Sequence, residues 1–244
     1  MGQPGVEWGD RWRTRPDRRV DSFFVSASAG LGGSLVLVPV LTLVLGSKEG
    51  VSIAALLLAG NNLVKLWAYR RVLPVKPAAL VTMCTLLGGV FGAQLLVIAP
   101  ERLVSAAVVI SLGVALITEG RGSRPWRGSL PWLLALAAGA TSGFSGTSGP
   151  LKGAAIRSLG FDRMHMIGAA ALVSTAADVA KTAVFAEAGL LRGAPFQFTL
   201  AAIPLMFVAT LAGRHFAQVI GEEGYRRLFW FVMGGYTLRL LLVR

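Results

Sequence analysis

Three lysines sit inside apolar runs of this chain: Lys65 in AGNNLVKLWAY, Lys152 in SGTSGPLKG and Lys181 in STAADVAKTAVF. An ammonium group in hydrocarbon costs at least about 2.5 to 3.5 kcal/mol, so such a residue faces a cavity, a partner or a bound anion. Each has polar company at helical spacing. Asn61 and Asn62 precede Lys65 by four and three residues, which places all three on one helical face. Ser174, Asp178 and Lys181, at i, i+4 and i+7, make a polar stripe on another helix. Two chemistries suit that stripe. Asp178 and Lys181 form an ion pair at i, i+3 that neutralises itself, or Lys181 binds an anion while Asp178 holds or exchanges a proton and so couples a substrate to protonation. For Lys65 the alternative to anion binding is snorkelling to a nearby interface along with Trp67, Tyr69 and Arg70.

Lys152 follows GATSGFSGTSG, Gly139 to Gly149, a run too rich in glycine and serine for a solid helix. Glycine lets the backbone turn sharply, and a helix that resumes after a break aims its positive N-terminal end at the gap, where anions bind. Ser145, Gly146, Thr147, Ser148 and Gly149 are the candidate lining, with Lys152 one turn into the resumed helix. A milder counterpart stands at Gly30, Gly32 and Gly33, flanked by Ser28 and Ser34. Close packing of helices through small residues also explains glycine and serine. It does not explain a lysine.

Enzyme readings fit poorly. A phosphate-binding loop needs glycine and lysine adjacent, whereas Pro150 and Leu151 separate Gly149 from Lys152. Gly143-Phe144-Ser145-Gly146 matches the serine motif of rhomboid-type intramembrane proteases, but the surroundings of His215 lack the glycine spacing such a base would have. His165 beside Arg163 reads as interfacial, and two scattered histidines with one cysteine offer no metal site. No cofactor and no catalytic residue is expected. Cys84, inside an apolar run, reads as a small buried hydrophobe.

The elements that must position these residues are membrane helices. With 54% hydrophobic and 15% charged residues in 244, and a mean hydropathy of +0.64, the chain is too apolar for an ordinary soluble domain. About eight apolar segments are each long enough to cross a bilayer. They fall near 22–45, 51–69, 77–98, 102–119, 130–156, 164–186, 196–218 and 225–243. The formal charge of +12 gathers in the N-terminal tail and the short loops, the pattern of a membrane protein rather than of a nucleic-acid binder. Residues 1–21 read as a basic cytoplasmic arm; the run after Arg18-Arg19 is too short for a cleaved signal. Loops with Arg70, Arg71 and Lys76, and with Arg121, Arg124 and Arg127, fall inside by the positive-inside rule. The rule then fails at Arg214, Arg226 and Arg227, unless the fifth segment dips in and returns on one side or the halves are inverted.

Displaced against itself by 116 residues, the chain aligns Ser26 with Ser142, Gly30 with Gly146, Gly33 with Gly149, Asn62 with Asp178 and Lys65 with Lys181. The expected fold is therefore an all-α polytopic membrane protein of two related four-segment repeats, 22–127 and 128–244, with the first and fifth segments broken at glycines. Broken helices at corresponding places in two repeats are the layout of secondary transporters, whose substrate site lies where they meet.

AGLGGSLVLVPVL, Ala29 to Leu41, with SGFSGTSGPLKG in the second half, resembles the sulfite exporter TauE/SafE family from about Ser22 to the C-terminus. The resemblance implies a carrier of two related halves that moves small sulfur-containing or carboxylate organic anions. The chain departs from the family in placing Lys152 where an apolar residue is usual. The expectation is an exporter of small anions in the cell membrane, partnered by lipid, coupled to protons through Asp178, with room for a homo-oligomer. A channel or membrane scaffold is the alternative, and the rhomboid-like protease the remote one.

Overall fold

The computed structural model of the chain describes residues 31–118 and 130–191. Seven α-helices follow one another there: α1 Leu31–Leu45, α2 Ser47–Ala68, α3 Val75–Ile98, α4 Glu101–Thr118, α5 Leu130–Ser145, α6 Gly149–Arg157 and α7 Arg163–Glu187. A single 3-10 turn, Arg70–Val72, joins α2 to α3, and no strand occurs among the described residues. The N-terminal arm, the Gly30 end of the first break and the last two expected segments lie outside them.

Among the described residues, three helices are long and apolar enough to cross a membrane: Ser47–Ala68, Val75–Ile98 and Met164–Glu187. On α3, Leu80, Met83, Leu87, Phe91, Leu95 and Ile98 recur every three or four residues and are all exposed. A continuous apolar stripe of that length suits lipid as solvent.

Glycine sets the closest approaches. α3 packs most extensively on α5. An added Cβ at Gly88 or Gly92 would stand 2.1 Å from the carbonyl oxygen of Leu136 or Ala140, and one at Gly139 2.1 Å from that of Thr85. The two backbones therefore touch, and the paired numbers rise together, so α3 and α5 run parallel. α2 and α7 run antiparallel, with Gly168 against Val72 near one end and Asn62 against Asp178 further in.

The fifth expected segment, 130–156, is two helices rather than one. α5 stops at Ser145, Gly146 takes φ +78, and α6 starts at Gly149 with Pro150 in its first turn, where a missing N–H costs nothing. The chain then folds back. Ala135 near the start of α5 and Ala155 and Ile156 near the end of α6 share one apolar cluster with Ala78, Val81, Ala169, Ala170 and Val173. Both legs of the hairpin thus belong to the same end of the bundle, the end of the α2–α3 turn. A second cluster, including Val38, Val51, Leu96, Val104, Val108 and Phe185, fills the other end. On α7, Asp178 and Lys181 fall between Val173 of the one and Phe185 of the other.

α1 runs through Gly32 and Gly33 as its first turn. Gly32 and Gly33 thus lie within a helix, while the Gly30 side of the expected break lies outside the described residues.

Candidate functional site

Asp178 is the hub. It lies on α7 at 6% exposure. Its Oδ1 is 2.7 Å from Lys181 Nζ one turn along the same helix, and its Oδ2 accepts a 2.6 Å hydrogen bond from Asn62 Nδ2 on α2. Both oxygens are engaged, which is what a buried carboxylate requires. Asn62 and Asp178 are also the pair that the displacement of 116 residues aligns, and α2 and α7 begin 116 residues apart. Residues matched in the sequence meet across the helix pair.

Lys181 is 1% exposed, the largest fully buried side chain among those described. Besides Asp178 it donates to Ser142 Oγ at 2.8 Å and reaches the Ser142 carbonyl oxygen at 3.4 Å. Ser142 lies in the last turn of α5, so Lys181 ties α7 to the leg of the hairpin that leads into the break. Its three donors have three acceptors.

Lys152 differs. It projects from the second turn of α6 to donate to Ser174 Oγ at 2.8 Å, a neutral partner. Lys65, half-buried near the end of α2, has no hydrogen-bond acceptor among the described residues. Both lysines interact electrostatically with Asp178, and Lys152 also with Lys65 and Lys181. Lys65 and Lys152 therefore lie within electrostatic range of the carboxylate that Lys181 contacts. The site is built from α2, α6 and α7, with α5 supplying Ser142.

The break itself is polar and buried. Ser145, Thr147 and Ser148 are all buried. Ser145 Oγ donates to the Thr141 carbonyl oxygen, and Thr147 Oγ1 donates to Ser111 Oγ on α4 at 2.9 Å. Ser148 is the N-cap of α6, yet its side chain makes no capping hydrogen bond, and at 7% exposure it has no partner among the described residues. The start of α6 thus presents a positive helix end and an unused hydroxyl. Asn61, next to Asn62 on α2, is half-buried and makes no side-chain hydrogen bond among the described residues. Gly30 lies outside the described residues.

The family follows from these residues. Residues 22–240, nearly the whole chain, match the sulfite exporter TauE/SafE family. The chain belongs to that family. Membership makes it a transmembrane transport protein, as the apolar helices and the resemblance read from the two glycine motifs require. No curated protein and no solved structure matches it.

The hydroxyl hydrogen of Ser145 is spent on a helix carbonyl, and His165 sits exposed at the start of α7, paired with Asp162; His215 lies outside the described residues. No group of three metal-ligating side chains occurs among the described residues. Sequence reasoning passed over Ser142 and Ser111 as site residues. Ser142 carried a signal, its alignment with Ser26; Ser111 carried none, since only the folded hairpin brings α4 to Thr147.

Proposed function

We propose that the chain is a secondary carrier of small anions such as sulfite, sulfonates or small carboxylates, working by alternating access between two repeats and serving export across the cell membrane. The observation that carries this reading is the pair Lys65 and Lys152: two half-buried cations with no ion-pair partner among the described residues, the second one turn into a helix whose N-cap side chain makes no capping bond. Interior charge of this kind costs too much to keep as decoration. An anion cradled by the N–H groups at the start of α6 would offset it.

The repeats are supported by the contact between Asn62 and Asp178. In a duplicated chain, equivalent residues touch only on the axis that relates the copies, and that axis is where carriers of this architecture place substrate. The hairpin of α5 and α6 would enter the membrane and return to the same side, its irregular turn sheltered by protein. Among the described residues, Arg70, Arg71, Lys76 and Arg157 gather at that end against Asp162. The opposite end carries Lys48 and Arg102 against Glu49, Glu101 and Glu187. By the positive-inside rule the hairpin end is cytoplasmic. An inside-negative potential favours anion exit by about 2.3 kcal/mol per charge per 100 mV.

Purified protein in liposomes tests the carrier. Saturable counterflow of sulfite, a sulfonate or a small carboxylate is expected, lost at least about tenfold in Lys152→Ala. Liposomes that neither accumulate nor exchange any of the three would end the reading. Proton coupling is its finer part: Asp178 holds Lys181 only while ionised, so a proton there would free an ammonium beside the substrate. Because Asp178→Asn alone leaves Lys181 unpaired, the comparison belongs in a Lys181→Met background. If counterflow keeps its full pH dependence when Asp178→Asn is added there, Asp178 is not the coupling group.

A further inference from the structure

We infer that the site takes a doubly charged oxoanion rather than a singly charged one, with the valence set jointly by Lys65 and Lys152; this rests on the carrier reading and narrows its substrate class. The inference follows from which charges are already matched. Outside the first three and last three residues of each, the described helices carry only Lys65, Lys152, Asp178 and Lys181 as charged residues, with Lys65 in the last turn of α2. α1 and α5 have no charged residue at all, and those of α3 and α4 stand in the first two residues of each. Asp178 is matched to Lys181 at 2.7 Å, and Lys181 has its remaining donors on Ser142. Lys65 and Lys152 are left over. The one has no acceptor among the described residues and the other has only the neutral Ser174 hydroxyl at 2.8 Å.

Two half-buried positive charges without an ion-pair partner among the described residues call for two negative ones. A monoanion would leave one ammonium in the interior without a counter-charge, the costly half of a broken pair. A dianion with three or more oxygens can accept from both ammonium groups and still offer an oxygen to the start of α6, where the buried Ser148 hydroxyl is unused. The valence is a property of the assembled site. Lys65 comes from the first half of the chain and Lys152 from the second, where the displacement of 116 residues places Val36 opposite it.

Sulfate and methanesulfonate separate charge from shape, since both are small tetrahedral oxoanions and neither changes its charge across neutral pH. Their affinities for the purified full-length protein in detergent, at constant ionic strength, are measured by titration calorimetry. The wild type should bind sulfate about tenfold or more tightly than methanesulfonate, the scale of a second contact ion pair in a partly dry site. Lys152→Gln should cut that advantage to about threefold or less by weakening sulfate and sparing methanesulfonate. Lys65→Gln should do the same from the other side, which keeps the test alive if one variant does not fold. Lys152→Arg should retain the preference. Equal wild-type affinities, or losses of the same size for the two anions in both Gln variants, would overturn the valence while leaving an anion carrier. A wild type that binds neither anion would remove the carrier reading and this inference together.

Discussion

Lys65 on α2 and Lys181 on α7 stand 116 residues apart, each three residues after an Asn or an Asp, yet they end in different states. Lys181 is sealed in, matched to Asp178 and tied to Ser142. Lys65 is half-buried and has no acceptor of its own among the described residues. One functional group separates the two halves at the preceding position. The carboxylate of Asp178 carries the charge that neutralises Lys181; the amide of Asn62 carries none, and its donor is spent on Asp178. Where two helices present the same cation 116 residues apart, the neighbour one turn back decides whether that cation has an ion-pair partner among the described residues.

That contrast can be broken most forcefully at Asp178. Asp178→Leu strands a buried ammonium, and Lys181→Met strands a buried carboxylate; each should cost about 3 to 5 kcal/mol of stability in detergent unfolding, whereas the double substitution should cost much less than the two together. Lys65→Met should leave stability within about 1 kcal/mol, because no matched partner is orphaned, while lowering anion affinity. Equal costs for Lys65→Met and Lys181→Met would erase the distinction between the two lysines.

The starts of the same two helices differ as well. α2 begins after Gly46 at φ +96 without a cap of its own. Glu101, from the first turn of α4, accepts from the Ser47 and Lys48 N–H groups instead, while Lys48 Nζ donates to the Val97 carbonyl oxygen at 2.8 Å. α7 is capped from within, by Asp162 on the N–H of His165. Glu101→Ala should therefore cost about 0.5 to 2 kcal/mol, the usual range for a lost N-cap, and hydrogen exchange should rise at the first turn of α2.

These starts also mark how far the sequence could be read. The spacing placed Asn62 with Lys65 and Asp178 with Lys181 on their faces, and it put the second break among Ser145 to Gly149, because helical periodicity and glycine content are local properties. The displacement of 116 residues pointed at the pair Asn62 and Asp178, although nothing local says that aligned residues touch. The second segment was expected from 51; the helix begins at Ser47, since polar residues enter it under a cap that comes from 54 residues away. The fifth was expected as one stretch from 130 to 156, with its crossing in doubt on charge grounds. Only the fold-back of α6 brings Lys152 to Ser174 and sets Thr147 against Ser111, and such contacts depend on the packing of four helices rather than on any one of them.

The smallest expected effect lies at the cap of α7, and it concerns pH. Asp162 accepts from the His165 side chain and from its backbone N–H, and these hydrogen bonds, the side-chain one foremost, hold its carboxyl below the ordinary carboxylate value. A carboxylate lowered in the folded state contributes stability above its unfolded pKa of about 3.9, and that contribution is lost as pH falls through the lower folded value. The cap is exposed, so solvent keeps the effect small. Unfolding midpoints of wild type and Asp162→Asn should thus differ slightly but constantly from pH 7 to 5 and converge as the pH drops toward 3. α2 supplies the control: Asp162→Asn should leave hydrogen exchange at its first turn unchanged, because Glu101 holds that start independently. A shift at both helices would mean that the two caps, one borrowed and one local, are energetically a single unit.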